Sequence, residues 1–411
     1  MPHPASTINL GGAHPTRRLI VLFVPGALVY RICCSRCLQQ PSRGAHRFEV
    51  ARKRVIPMCV ARFGALLLAS VLLAAVASAQ IDAPSKALVP TTQVANDVIH
   101  LDVVVTPKSG PPLTGLQQQD FTVLDNKKEQ PISSFKAVRG RDADVHIVLV
   151  VDDVNTGVEH IAYERSELDK FLKMDEGHLA HPIALAFLTD KGLQVQDSFS
   201  TDGNALRASL DQTSVGLHSI LRSGGIYSAE ERFEVSLKAL YELANREAAL
   251  PGRKFLIWLS PGWPVLSGPG VQQQLDTKQR EQIFHDIISF SNLLRSAHIT
   301  LYSIDPLGAA DFSTRAFWWQ EYVGGVNKPD DANLGNLALQ VLAVQSGGMA
   351  LTVSNDVAGE VQKCVNDAEA YYELAFGPPL DQKPNELNKV QVRVNKPRVD
   401  ARARQVYYWQ P

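Results

Sequence analysis

The residues best placed to do chemistry lie in one short stretch, HIVLVVDDVNTG, from His146 to Gly157. An apolar run ends in two adjacent carboxylates, Asp152 and Asp153, and the polar pair Asn155 and Thr156 follows at once. Oxygen-rich side chains at a strand end can do three things. They can hold a hard cation such as Mg²⁺ or Mn²⁺, which takes oxygen ligands and keeps several waters. They can meet a partner. They can also cap the helix that begins near Gly157, a role open to Asp153 or Asn155. The ligand candidates here are Asp152, Thr156 and Asp153.

Other chemistry has little support. The sequence has no G-x-S-x-G elbow, no G-x-x-x-x-G-K-[ST] loop and no G-x-G-x-x-G turn, so acyl transfer and nucleotide binding lose their usual signatures. His178 and His181 are three apart, without a glutamate between them, and Pro182 follows; they read as surface-loop histidines. Cys364 reads as a core residue.

The elements that must position Asp152 form a strand–helix alternation from residue 146 onward. Strands are predicted at 147–151, 183–188, 254–259, 299–304 and 349–353, as unbroken apolar runs suited to burial on both faces. A capping box of Ser228 and Glu231 opens a helix whose Phe233, Leu237, Leu240 and Ala244 share a face, and Pro251-Gly252 closes it. Ile283, Ile287, Phe290 and Leu294 mark a second helix. The turn Thr189–Gly192, TDKG, predicts a hairpin, with Asp190 a hairpin residue, and hence one antiparallel edge strand. The expected fold class is α/β, a doubly wound and mostly parallel sheet. β-patterned stretches flank it at VIHLDVVVTP, at DFTVLDNKKEQPISSF, and at YYELAF, KVQVRV and RQVYYW. These predict a small sandwich-like unit, built from the N- and C-terminal strands, into which the α/β domain is inserted.

In such sheets ligands sit beyond the carboxyl ends of the strands. That rule gathers Asn155, Ser260, Trp263 and Asp305 on one rim as candidate partner-binding residues. Trp263, in SPGWP, is the expected anchor, since tryptophan is enriched at binding hot spots. The long segment 308–336, with Trp318 and Trp319, is open as a specificity loop or a flexible insert.

Along the chain, GLQQQDFTVLDNKKEQPISSF, VLVVDDVNT, ERFEVSLKAL, PGRKFLIWLSPGWP, ITLYSIDPLG, SGGMAL and YYELAF occur in order. In this the sequence resembles a von Willebrand factor type A domain. More narrowly it resembles the VWFA-related family described from acidobacterial genomes, over roughly residues 96–409. The resemblance implies a metal-ion-dependent adhesion site whose first strand ends in Asp-x-Ser-x-Ser. Asp152 takes the place of the motif's Asp and Thr156 that of its second Ser, whereas Val154 replaces the first Ser and offers no oxygen. Only Ser228 could stand for the loop Thr, and Ser260-Pro261-Gly262 lacks the later carboxylate. The implied site is degenerate.

Residues 1–79 contain ten Lys or Arg and one acidic residue, which leaves 31 basic against 41 acidic in the rest. That acidic body argues against nonspecific nucleic-acid binding. From Met58, a basic residue, an apolar core and Ala77-Ser78-Ala79 spell a secretory signal peptide. The core is shorter than the roughly 20 residues a membrane span needs. The expected division is an N-terminal extension at 1–57, signal peptide 58–79, linker 80–95, β-unit 96–140, α/β domain 141–365 and C-terminal strands 366–411. Among the five cysteines only Cys364 follows residue 79, so no intramolecular disulfide is expected after cleavage. The functional expectation is a secreted or periplasmic, noncatalytic protein-interaction module of adhesion type. It would bind an unknown protein or cell-surface partner through the strand-end rim, not span the membrane after cleavage, and have no certain cofactor, with weak Mg²⁺ or Mn²⁺ binding left open. The alternative is a metal-dependent hydrolase using Asp152 and Asp153.

Overall fold

The computed structural model describes residues 98–140, 144–213, 224–266, 274–308, 317–379 and 382–410, and the backbone of a hairpin formed by β1 (Val21–Val24) and β2 (Ala27–Tyr30). Apart from that hairpin, the expected extension, signal peptide and linker lie outside the described residues. No described helix is long and apolar enough to cross a membrane.

Four strands come first: β3 (Ile99–Pro107), β4 (Phe121–Asp125), β5 (Lys128–Gln130) and β6 (Ile132–Arg139). The α/β run follows, with β7 (Val145–Asp152), α1 (Val158–Leu172), β8 (His178–Thr189), β9 (Gly192–Val195), β10 (Ser200–Asp202), α2 (Gly203–Gln212) and α3 (Gly225–Ala248). It continues through β11 (Arg253–Leu259), α4 (Thr277–Ser296), β12 (Ile299–Ile304), α5 (Leu339–Gln345), β13 (Ala350–Leu351) and α6 (Val357–Asn366). β14 (Ala370–Phe376), β15 (Leu387–Val394), β16 (Val399–Arg402) and β17 (Val406–Tyr408) close the chain.

The central sheet runs β10-β8-β7-β11-β12-β13, with β9 also paired to β8. β8, β7, β11, β12 and β13 are mutually parallel, and β9 and β10 lie antiparallel along β8. β7 is therefore interior. Alternate residues of its strands feed two cores. Val148, Val150, Leu256, Trp258 and Leu301 pack under α3, α4 and α5. Ile147, Leu149, Val151, Phe255, Ile257 and Tyr302 pack under α1, α2 and α6. Helices on both faces explain why all seven residues of β11 are buried and why the run has no polar alternation.

The rest is antiparallel. Sheet β16-β3-β14-β6 and sheet β17-β15-β4-β5 each mix strands from before and after the α/β run. They share an apolar cluster in which Ile99, Leu101 and Val103 of β3 meet Val123, Val390 and Tyr407.

Several local expectations change. β8 begins at His178, not 183, so His178 and His181 are strand residues; His181 is buried, with Nε2 3.2 Å from Glu369 Oε1, and is no surface-loop residue. α3 begins at Gly225, which places Ser228 and Glu231 inside the helix rather than at a capping box. Among the α-helices, α4 starts with a capping box, Asp276 with Gln279. The 349–353 strand shrinks to two residues. In the long segment, residues 317–337 fold as short 3-10 turns, and Trp319 packs on Ala338 and Val341.

Candidate functional site

Asp152 ends β7 at the carboxyl edge of the parallel sheet, as its sequence position implied, but its side chain is fully buried. Oδ1 accepts from the Asn155 backbone N–H at 3.0 Å and from Asn155 Nδ2 at 3.1 Å. Oδ2 accepts from Asn155 Nδ2 at 2.9 Å and from Trp258 Nε1 at 2.9 Å. Burial pushes the carboxyl above its ordinary value, while the donors from Asn155, Trp258 and Ser260 pull it back. Asn155 Nδ2 also donates to Ser236 Oγ at 2.8 Å. The group thus ties β7 to β11 and α3.

Beside it lies a second set of acids. Asp153 is buried, and its Oδ2 is 3.8 Å from Arg165 Nη2. Arg165 Nη1 is spent on the carbonyls of Leu210 and Thr213, at 2.9 and 2.7 Å. Glu164, on α1, is wholly buried. Burial first, then the charges of Asp153 and Asp152, push its carboxyl well up, against the opposing pull of the Thr156 hydroxyl and Arg165. No hydrogen bond of full geometry reaches either Glu164 oxygen or Thr156 Oγ1.

These residues do not fit a cation. The donors on Asp152 already aim positive ends at both its oxygens. A metal ion would have to displace them and leave buried Trp258 Nε1 unmet, at about 1–3 kcal/mol, with Asn155 Nδ2 keeping only its bond to Ser236. Val154 is in the core and supplies no oxygen. Among the described residues, no three His, Cys, Asp or Glu side chains are placed to hold a metal. Asp152, Asp153 and Thr156 are corrected from candidate ligands to interior groups. Nor do Asp153 or Asn155 cap α1, whose N-cap is Gly157 without a side-chain bond.

The rim residues need the same correction. Asn155 and Ser260 are buried. Trp263 is 4% exposed, its ring edge-on to Trp258 at 5.6 Å and to Phe233 at 6.2 Å. Gly262, at φ 100°, provides a turn conformation that disfavours L side chains and that leads into Trp263. Asp305 Oδ1 accepts from the Leu307 N–H at 2.9 Å, a turn role. The structure therefore gathers the predicted residues near one sheet end and turns most of them inward.

Different side chains remain outside. The exposed large apolar residues are Val158, Tyr163, Ile226, Tyr227, Phe317 and Val353 among those described. Val158 opens α1, Ile226 and Tyr227 open α3, and Val353 follows β13, all at the strand-end side. Sequence reasoning missed these, and also Glu164. The latter had a signal: Ile161, Glu164, Leu168 and Phe171 fall on one buried helix stripe.

Neither a family model nor a curated protein matches the chain. Solved structures resemble it weakly. Proximal thread matrix protein 1 from the mussel byssus aligns at TM-score 0.32 and 12% identity, over 59% of this chain and 51% of that one. The PilB minor pilin from Streptococcus sanguinis gives 0.31 and 11%, over 59% and 64%. A von Willebrand factor type A protein from Catenulispora acidiphila gives 0.32 and 7%, over 76% and 74%. The chain spans about half the length of the mussel protein it matches.

Proposed function

We propose that this chain is an exported, noncatalytic protein-interaction module of adhesion type. In this reading a von Willebrand factor A-like domain is inserted in a β-sandwich, and residues 58–79 direct export. Its docking surface is the carboxyl edge of the parallel sheet, but the contact residues are Val158, Ile226, Tyr227 and Val353 rather than the buried polar set. The observation that carries the reading is their exposure, 62%, 45%, 64% and 53%, in the first turns of α1 and α3 and just after β13. Contiguous apolar side chains at a surface mark interaction sites, and in this reading these four form one such patch. The hydrolase alternative loses its support, because Asp152 and Asp153 are enclosed and the first is saturated by donors.

A photo-crosslinking residue at position 227 or 158 of the full chain, in its native envelope, tests the proposal against the same residue at position 136 on the antiparallel part. The expected result is one protein captured from both rim positions and not from 136, and lost on Ile226→Ser with Tyr227→Ser. Equal capture from all three positions, or none from the rim, would overturn it.

A further inference from the structure

The opposite end of the parallel sheet carries an independent candidate. There, residues at the N-terminal ends of β7 and β11 and just before β12 meet β3, β6 and β14 around a cavity of about 430 Å³. Small-molecule sites span roughly 300–1,000 Å³. Arg253, the first residue of β11, lines this cavity and is 4% exposed. Its Nε lies 3.3 Å from Asp102 Oδ2, and Nη2 donates to Thr300 Oγ1 at 3.2 Å. The rings of Phe255 and Tyr371 each have their centroid 4.6 Å from its guanidinium carbon, which fixes the group in place. Nη1 has no hydrogen-bond partner. A guanidinium has five N–H donors, and one carboxylate and one hydroxyl do not meet them all. Leaving a buried charged donor unmet is costly unless something else answers it.

The larger cavity alone sets Arg253 and Lys136 against Asp102, Asp144 and Glu373, and cations exceed acids only when its neighbour is included. A smaller cavity shares His100, Asp102 and His298 with the first and adds Arg295 and Arg404. Across both, the arginines at 253, 295 and 404 and Lys136 face only Asp102, Asp144 and Glu373. Burial, then the neighbouring Arg295 charge, push Arg404 down to about 10. The His100 and His298 rings stand 6.3 Å apart. Lys136 is paired with Glu373 at 3.2 Å in an exposed position, so the pair breaks at little cost.

We propose that this cavity binds a small molecule carrying an oxyanion, either a carboxylate or a phosphate monoester. Arg253 Nη1 and the imidazoles of His100 and His298 meet its oxygens, and Lys136 adds charge. A guanidinium suits this task because its planar donors match the spacing of two oxygens on such a group. Tyr371 and Leu101 supply an apolar wall for the ligand's body.

Calorimetric titration of the full chain with phenyl phosphate, benzoate and benzyl alcohol tests the proposal, since the three share a body and differ in charge. Saturable binding of at least one anion, without binding of the alcohol, is expected; which anion binds more tightly tells a phosphate site from a carboxylate site. His100→Ala with His298→Gly should weaken that binding about tenfold. Glycine suits position 298, where φ is 52°. Arg253→Lys keeps the charge but removes Nη1 and should abolish binding; if that variant fails to fold, the histidine pair carries the test. No saturable anion binding below about 10 mM, equal binding of the alcohol, or anion binding unchanged in the histidine variant would overturn the proposal.

Discussion

The two ends of the parallel sheet treat charge in opposite ways. At the carboxyl end, Asp152, Asp153 and Glu164 are enclosed; donors meet Asp152, whereas no hydrogen bond of full geometry reaches Glu164. Asp152 accepts from Asn155 and Trp258, Asp153 lies near Arg165, and Glu164 is pushed toward its neutral form. Exposed on the nearby segments are the apolar Val158, Ile226, Tyr227 and Val353, beside the polar Glu159, Asn355 and Asp356. At the amino end, Arg253 keeps an unmet donor, and across the two adjoining cavities four cations stand against three acids. The difference teaches that a cluster of polar residues says little about ligand binding until its internal pairing is known. A satisfied cluster is architecture. An unsatisfied one beside a cavity is a candidate site.

The largest effect expected at the satisfied end is from Asp152→Ala. It leaves Trp258 Nε1 and the Asn155 backbone N–H without their acceptor, and it cuts the tie from β7 to β11. A loss of about 3–5 kcal/mol in urea melts is expected, the range for breaking a buried charged network. If the carboxylate instead waited for a cation, alanine would be neutral or stabilising in metal-free buffer. That outcome would break the comparison.

Glu164→Gln should act less strongly and with the opposite sign. The folded protein holds the Glu164 proton to a pH well above the ordinary 4.5. Its contribution to stability is therefore fully present below the unfolded value and is lost as pH rises through the folded one. Glutamine keeps the volume and cannot ionise. At pH 8 it should stabilise by on the order of 1–2 kcal/mol, at pH 5 by close to nothing, and the decline between them should flatten. Urea melts at the two pH values measure this. Destabilisation at both would mean that the ionised form is wanted, by Arg165 or by a bound cation.

What the sequence allowed one to read follows from how local each signal is. The runs at 147–151, 254–259 and 299–304 are strands, and burial on both faces leaves them without a polar–apolar alternation. Phe233 to Ala244 and Ile283 to Leu294 are buried helix faces at the spacing their periodicity announced. The TDKG hairpin is present, Thr189 pairing with Gly192. The inward turn of Asp152 was not legible, because its decisive donor, Trp258, lies 106 positions away on the neighbouring strand. Trp263 shows the same limit. Its place between two prolines suggested display, but Trp258 and Phe233, which cover it, come from other elements. The amino-end cavity had no local signature at all, since its walls come from β3, β6, β11 and β14.

Lys136→Gln should have the smallest effect on stability. Its ion pair with Glu373 is solvent-exposed on both sides, with side chains 65% and 39% accessible. Such a pair contributes roughly 0–1 kcal/mol, so the melting curve should barely move, by less than about 0.5 kcal/mol. The same substitution removes one of the two Lys or Arg side chains that line the cavity. Phenyl phosphate or benzoate binding, whichever the wild type prefers, should weaken about threefold and lose part of its salt dependence. Stability and binding would then separate at the amino end, whereas at the carboxyl end Asp152 affects stability alone. A drop in stability above about 1 kcal/mol, with binding unchanged, would make Lys136 architectural as well. The amino end would then be another internally paired cluster.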